Sequence, residues 1–479
     1  MSRRRVVSLT TLTVFALIPA IVLTGVWQYA DANVPPSTTT TTTTLPPEPV
    51  DEMATDLLSL RRHPGPLAER AADEAADAAF VARVAALGDR IGELSCLRIV
   101  DDTEVVVEFG AGRTVIPASN EKLFVAATAL GVLGAEHRFR TELLSAAPVD
   151  GVIPGNVYLV GGGDPVLRTA DVPDPQRYPA FNTTALEELS DQVVALGVTT
   201  IDGDLVGDGS RYDDEFRVPS WGDDITSAEA GPYDALLVND GLISDGNYGL
   251  DPSRSAARVF VDLLTARGVT VTGSAANAAR PAGVELASLA FIESLPLPDI
   301  LVELLHTSDD NTAEMLVKEI GFAAGEGGTR PAGLAVVRST LADWGVSLEG
   351  VELQDGSGLS RLNRTTCEAL AALLTVTPVA DELRDLLPVA GRDGTLATQL
   401  LDTEAEGRLQ AKTGTLTDVK ALSGTQPGAD GRSVDFALVL NGEDVDDPEI
   451  YEPIWEQLVG LISGYPIEVE PDTSPFAPR

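Results

Sequence analysis

Residues 119–133 read SNEKLFVAATALGVL. Leu123, Phe124, Ala126, Ala127, Leu130 and Leu133 recur at helical spacing, so the segment predicts an amphipathic helix. Ser119 and Lys122, three apart, share a face at its start. A serine there gains from the positive end of the helix dipole, which favours a developing alkoxide. Lysine can take a serine proton only in its neutral form, which requires desolvation or a neighbouring positive charge. Lysines are scarce in this chain: Lys122, Lys318, Lys412 and Lys420 are all it has. Lys412 opens Lys412-Thr413-Gly414-Thr415, at the end of the strand-like run Leu409-Gln410-Ala411. A lysine beside a glycine that lets a ligand approach the backbone makes a carboxylate-binding edge.

Between these motifs lies Ser308-Asp309-Asp310-Asn311, followed by Thr312-Ala313-Glu314. Alone, it is an ordinary helix N-cap with an acidic first turn. Further out, residues 96–100 and 104–109 alternate as strands around Asp101-Asp102-Thr103 and predict a hairpin. Residues 51–89, rich in Ala, Glu, Asp and Leu, predict one or two helices. From about 140 to 285 the texture changes to short strands and turns (156–160, 199–206, 234–239) with a helix near 255–267, a β-rich insertion. Helical periodicity resumes over 286–305 and 312–322. Strands near 407–413 and 434–441 and a helix near 448–463 close the chain.

The N-terminus reads MSRRR, then a charge-free, mostly apolar run over 6–27, which marks an export signal or an inward-anchored membrane helix. Ala30-Asp31-Ala32 is a small-residue cleavage-type run, while the apolar length suffices to span a bilayer; both readings stand, with the uncleaved anchor favoured. The tract PPSTTTTTTTLPPEP over 35–49 is an extended tether. Either way the bulk of the protein lies outside the cytoplasm. In an exported chain the two cysteines, Cys96 and Cys367, suggest a disulfide; two separate buried thiols are the alternative.

The 479 residues carry 33 Lys plus Arg against 73 Asp plus Glu, a formal charge of −40. That excludes a nucleic-acid binder, which needs a basic face. With 44% apolar and 22% charged residues the chain is globular. His63, His137 and His306 lack metal-ligand spacing. Asp202, Asp204 and Asp208 resemble a calcium loop, but Val206 breaks the ligand pattern. No metal and no cofactor are implied.

Taken together, Ser119-x-x-Lys122, Ser308-Asp309-Asp310-Asn311 and Lys412-Thr413-Gly414 resemble the Ser-x-x-Lys, Ser-x-Asn and Lys-Thr-Gly set of penicillin-binding proteins and serine β-lactamases. Within that superfamily the chain is most similar to the D-alanyl-D-alanine carboxypeptidase/endopeptidase group of low-molecular-mass, class C type penicillin-binding proteins. The runs GGGDP (161–165), GDLVGDGSRYD (203–213), VNDG (238–241), DGSGLSRLNR (355–364) and GRDGTL (391–396) support it. The resemblance implies an α+β fold, a transpeptidase/β-lactamase-like antiparallel sheet flanked by helices, with a β-rich inserted domain. Its parts would be an anchor or signal (1–32), a linker (33–50), the peptidase domain (51–140 plus 286–470), the insertion (141–285) and a tail (471–479).

The resemblance further implies that Ser119 attacks the bond between two D-alanines of peptidoglycan stem peptides and Lys122 takes its proton. The N–H groups of Ser119 and Thr415 would form the oxyanion hole. Lys412 and Thr413, beside Gly414, would hold the terminal carboxylate, and Ser308 would relay a proton. β-Lactams would be covalent inhibitors, and the membrane would be touched only through the N-terminal segment. A catalytically impaired cell-wall binding protein and, less favoured, a β-lactamase are the alternatives. One position departs from the pattern. Aligning Ala313-Glu314 with the family's Ala-Glu puts Asp310 where the motif asparagine belongs, with Asn311 displaced by one. Either Asp310 is tolerated there, protonated or turned away, or Asn311 enters by a register shift; an ionised Asp310 near Lys122 would handicap the base.

Overall fold

The computed structural model describes residues 65–171, 180–222, 229–244 and 247–466. The N-terminal apolar run, the Pro/Thr tract and the tail lie outside the described residues. Among the described residues no helix is long and apolar enough to cross a membrane. The chain divides into units Met1–Leu67 and Ala68–Arg479, and both large sheets belong to the second.

The hairpin forms from strands Cys96–Asp101 and Glu104–Phe109, turning through Asp102 at a φ of 56°, a left-handed conformation that aspartate tolerates. It completes a five-stranded antiparallel sheet in the order Gln410–Leu416, Val419–Pro427, Ser433–Asn441, Cys96–Asp101, Glu104–Phe109. The period of two along Ser433–Asn441 builds two cores. Val434, Phe436, Leu438 and Leu440 face the helices Gly65–Ile91 and Pro448–Ser463 through Phe80, Val84, Leu87, Trp455 and Leu458. Ala437 and Val439 face the other way, onto helices Lys122–Leu133, Leu297–Thr307, Asp310–Ala323, Arg330–Asp343 and Cys367–Thr375. Cys96 on the sheet and Cys367 on the last of these helices are joined by a disulfide.

A second five-stranded sheet, mixed in direction, runs Ala275–Asn277, Leu205–Asp208, Val157–Val160, Arg140–Ser145, Ala287–Glu293. With a three-stranded sheet and helices Leu186–Ala195 and Pro252–Ala266 it encloses a separate core around Leu159, Leu205, Leu189, Phe260 and Ile292.

Three stretches differ from expectation. Residues 286–305 are not helical throughout: Ala287–Glu293 is a strand paired with Arg140–Ser145, and the helix begins at Leu297. Ala290 and Ile292 are buried while Phe291 is exposed, a period of two that a short apolar run conceals. Residues 199–206 are two strands, Thr200–Asp202 and Leu205–Asp208, parted at Gly203, where an added Cβ would come within 2.4 Å of the Gly155 carbonyl. Residues 234–239 form no strand. Their alternation has another cause: Leu236 and Val238 enter the insertion's core while Ala235 and Leu237 enter a core with Tyr233 and Met315. The segment is threaded between two cores, and both sides of it are buried without a ladder.

Candidate active site

Ser119 sits on a short 3-10 turn, Ala118–Glu121, that feeds directly into helix Lys122–Leu133. Ala118, just before it, has a φ of 48°, a strained conformation for a residue with a Cβ. The Ala118 carbonyl is backed by Gly358, where an added Cβ would lie 1.9 Å from the oxygen. Asn120 anchors the turn to the sheet by donating to Ser423 Oγ at 2.7 Å. Ser119 itself is half-buried and reachable.

The first turn of the helix carries Lys122 back beneath the serine. Its ammonium is fully buried and donates to Ser119 Oγ at 3.1 Å, Asp310 Oδ1 at 2.6 Å and the Ser357 carbonyl at 2.6 Å. Asp310 therefore faces Lys122 and is not turned away. Asn311 does not enter: its amide donates to Asp240 Oδ1 at 2.6 Å. Asp309 caps helix Asp310–Ala323 by accepting from Thr312 N, which fixes the helical phase. Consecutive helical residues diverge by about 100°, so Asp310 and Asn311 point to different partners. Burial raises the Asp310 carboxyl to about 6, against the pull of Lys122.

Ser308 ends the preceding helix in a left-handed conformation, φ 64°, and its hydroxyl accepts from Lys412 Nζ at 2.8 Å. Burial, with the like charge of Lys122, holds the Lys412 ammonium well below its ordinary value. Lys412 lies on the edge strand Gln410–Leu416. Ala411 N–H donates outward, to the Pro388 carbonyl, and the alternation of an antiparallel ladder turns the N–H groups of Thr413 and Thr415 to that same outer edge. Gly414 lets the strand pass close to the nucleophile: a Cβ there would meet Pro117 O at 2.9 Å and Ser119 N at 3.2 Å. The structure thus brings Ser119, Lys122, Ser308, Asp310 and Lys412–Thr415 to one place and leaves Asn311 outside it.

Sequence reasoning missed several members. Thr395, in the 391–396 run, hydrogen-bonds Thr413 Oγ1 at 2.8 Å. Lys420, across the ladder from Thr415, donates to its hydroxyl at 2.9 Å and lies over Tyr451 at 4.0 Å. Glu314, fully buried, accepts from Gly356 N and Ser357 N at 2.9 and 2.8 Å, so it holds the loop whose carbonyl receives Lys122. The runs containing Thr395 and Ser357 stood out in the sequence, but nothing there said which atoms they contribute. Among the described residues no group of three or more His, Cys, Asp and Glu is placed to hold a metal ion.

The family model described as the D-Ala-D-Ala carboxypeptidase 3 (S13) family matches residues 79–247 and 249–461. A D-alanyl-D-alanine carboxypeptidase from Actinomadura sp. is 32% identical over 435 residues, covering 73% of this chain and 78% of the relative. The crystal structure of penicillin binding protein 4 from Haemophilus influenzae superposes with a TM-score of 0.66 at 21% identity, over 78% of this chain and 99% of that one. A predatory peptidoglycan endopeptidase from Bdellovibrio bacteriovorus superposes with a TM-score of 0.51 at 17% identity, over 77% and 92%. The fold is the α+β, transpeptidase-like one of penicillin-binding proteins, and the protein is a serine peptidase. The chain belongs to the D-Ala-D-Ala carboxypeptidase 3 (S13) family.

Proposed function

We propose that Ser119 is the nucleophile of a serine D-Ala-D-Ala carboxypeptidase/endopeptidase that acts on peptidoglycan stem peptides outside the cytoplasm, reached there by export or held by the N-terminal segment. The observation that carries the reading is a fully buried lysine whose Nζ lies 3.1 Å from a reachable serine Oγ. Ser119 Oγ bonds the carbonyl carbon between two D-alanines while its proton passes to Lys122. The oxyanion is received by the N–H groups of Ser119 and Thr415, donors aimed at charge that exists only in the transition state. Lys412 and Thr413, with Thr395 behind, receive the terminal carboxylate. Ser308, bonded to Lys412, relays the proton taken up by Lys122 to the departing amine, so that both side chains return to their starting state, and water then releases the acyl group. This chemistry asks for no cofactor. Residues 51–140 and 286–470 carry the machinery, and 141–285 form the insertion between its first two motifs, its sheet completed by Ala287–Glu293.

Fluorescent penicillin tests the assignment. Covalent labelling is expected for the native protein and none for Ser119→Ala of equal thermal stability. Native protein that is folded, unlabelled and retained on peptidoglycan would instead be a wall-binding protein. Rapid turnover of a chromogenic β-lactam would make it a β-lactamase.

A further inference from the structure

Residue 420 lies on the sheet face that packs against helix Pro448–Ser463. Leu422, two residues on, and Leu440, its partner across the ladder, both enter that core. An apolar side chain would fit the position, and a lysine is costly there because its charge leaves water. Lys420 is buried all the same. Its Nζ lies 4.0 Å from the centre of the Tyr451 ring and 5.3 Å from that of Trp455, two rings that themselves meet at 4.8 Å. Aromatic faces turned to a cation offset part of the cost. The same Nζ donates to Thr415 Oγ1 at 2.9 Å.

We propose that Lys420 is a positioning residue for the oxyanion. Braced by Tyr451 and Trp455, it fastens Thr415 to the sheet and so keeps the Thr415 N–H aimed at the reacting carbonyl. The inference rests on that N–H acting as proposed above, and it has Lys420 act through Thr415, not on the substrate.

The register of the ladder explains why Thr415 needs fastening. Thr415 faces Lys420 with its own N–H turned to the outer edge, which makes the two a non-hydrogen-bonded pair. The backbone bonds to Val419–Pro427 therefore fall on either side of it, at Gly414 and Leu416. The outer edge of Gln410–Leu416 has no partner strand among the described residues. The residue whose N–H must hold its direction is thus the one that the ladder does not grip. Gly414 must stay bare to pass Ser119, so a side-chain tie falls to Thr415. In a non-hydrogen-bonded pair the two side chains come close, and threonine is β-branched, so a bond to Oγ1 fixes its one rotamer. An ammonium only donates, and the hydroxyl accepts.

Penicillin acylation, resolved into the dissociation constant of the first complex and the rate constant of the covalent step, provides the test. Lys420→Met keeps a long unbranched chain between the rings and removes the donor. We expect it to lower the acylation rate constant by about tenfold, short of the roughly 10²–10³ that losing an oxyanion donor outright costs. The oxyanion exists only once the carbonyl is attacked, so the dissociation constant stays within about twofold. Hydrolysis of the acyl-enzyme passes through a second oxyanion at the same place and slows in parallel. In a Thr415→Val background, where the hydroxyl is already gone, Lys420→Met has no further effect on the rate constant. An unchanged rate constant in folded Lys420→Met overturns the proposal, as does a loss that recurs in full in the Thr415→Val background. A loss confined to the dissociation constant also overturns it, because a lysine that merely supports the strand would displace Lys412 and Thr413 together with Thr415. Thr415 is exposed, so Thr415→Val reads the same bond from its other end should Lys420→Met fail to fold, and acylation at the native rate in that variant overturns the proposal as well. Absence of acylation in the native protein would instead reject the assignment of Ser119 itself.

Discussion

Glu314 meets the N–H groups of Gly356 and Ser357 with one carboxyl oxygen, and its other oxygen is fully buried with no hydrogen-bond partner among the described residues. Burial, reinforced by Asp355, raises this carboxyl to about 8, so near neutral pH it is largely protonated and a glutamine can replace it. We expect Glu314→Gln to acylate within about tenfold of native, and Glu314→Ala to lose about a hundredfold, because two buried donors are left unpaired at roughly 1–3 kcal/mol each and the Ser357 carbonyl drifts from Lys122. Equal effects of both changes on penicillin acylation would reject the argument. At this scale Ser119, Lys122 and Lys412 were legible because lysines are few and each sits in a motif with its own chemistry. The choice between Asp310 and Asn311 was not legible. It depends on where the helix starts, and Asp309 sets that start through a single cap hydrogen bond. A backbone acceptor such as the Ser357 carbonyl leaves no mark in any sequence.

The edge strand and the nucleophile turn work as a pair of elements in which glycine sets the spacing. Gly414→Ala would drive a methyl group against Pro117 O and Ser119 N and push the strand away from the turn. Oxyanion donors lose force when displaced, and removing one costs about 10²–10³ in rate. We therefore expect Gly414→Ala to slow penicillin acylation by about a hundredfold with only a small change in Tm; unaltered acylation would show that the strand does not frame the oxyanion. The sheet strands and the helices that carry the motifs were readable because each presents one apolar face with a clear period. Ala287–Glu293 was not, since its few residues fit a helix as well as a strand until Arg140–Ser145 pairs with them. The alternation over 234–239 misled for the opposite reason, two cores imitating the two faces of a sheet.

Across the whole molecule, buried carboxyls govern the response to pH. Burial raises Asp164 and Asp435 to about 6, Asp234 to about 7 and Glu303 and Glu314 to about 8. A group whose folded pKa is raised binds more protons folded than unfolded, so its stabilisation is complete below about pH 4 and is lost as pH climbs through the folded value. Burial lowers His137 and His306, which acts in the opposite sense near pH 6, but the carboxyls outnumber them, and a net charge of −40 adds repulsion at the higher pH. We expect Tm to fall by several degrees between pH 5 and pH 8, and a Tm that rises over that interval would refute this account. The order of the main sheet has a different consequence, for the timing of synthesis. The hairpin Cys96–Asp101 with Glu104–Phe109 has no further strand to pair with until Ser433–Asn441 arrives, and a two-stranded hairpin is marginally stable at best by itself. A ribosome must therefore deliver nearly the whole polypeptide before the catalytic half can close. Until then the first two strands of the main sheet wait for the last three, and the earliest and latest parts of the described chain join only at the end of synthesis.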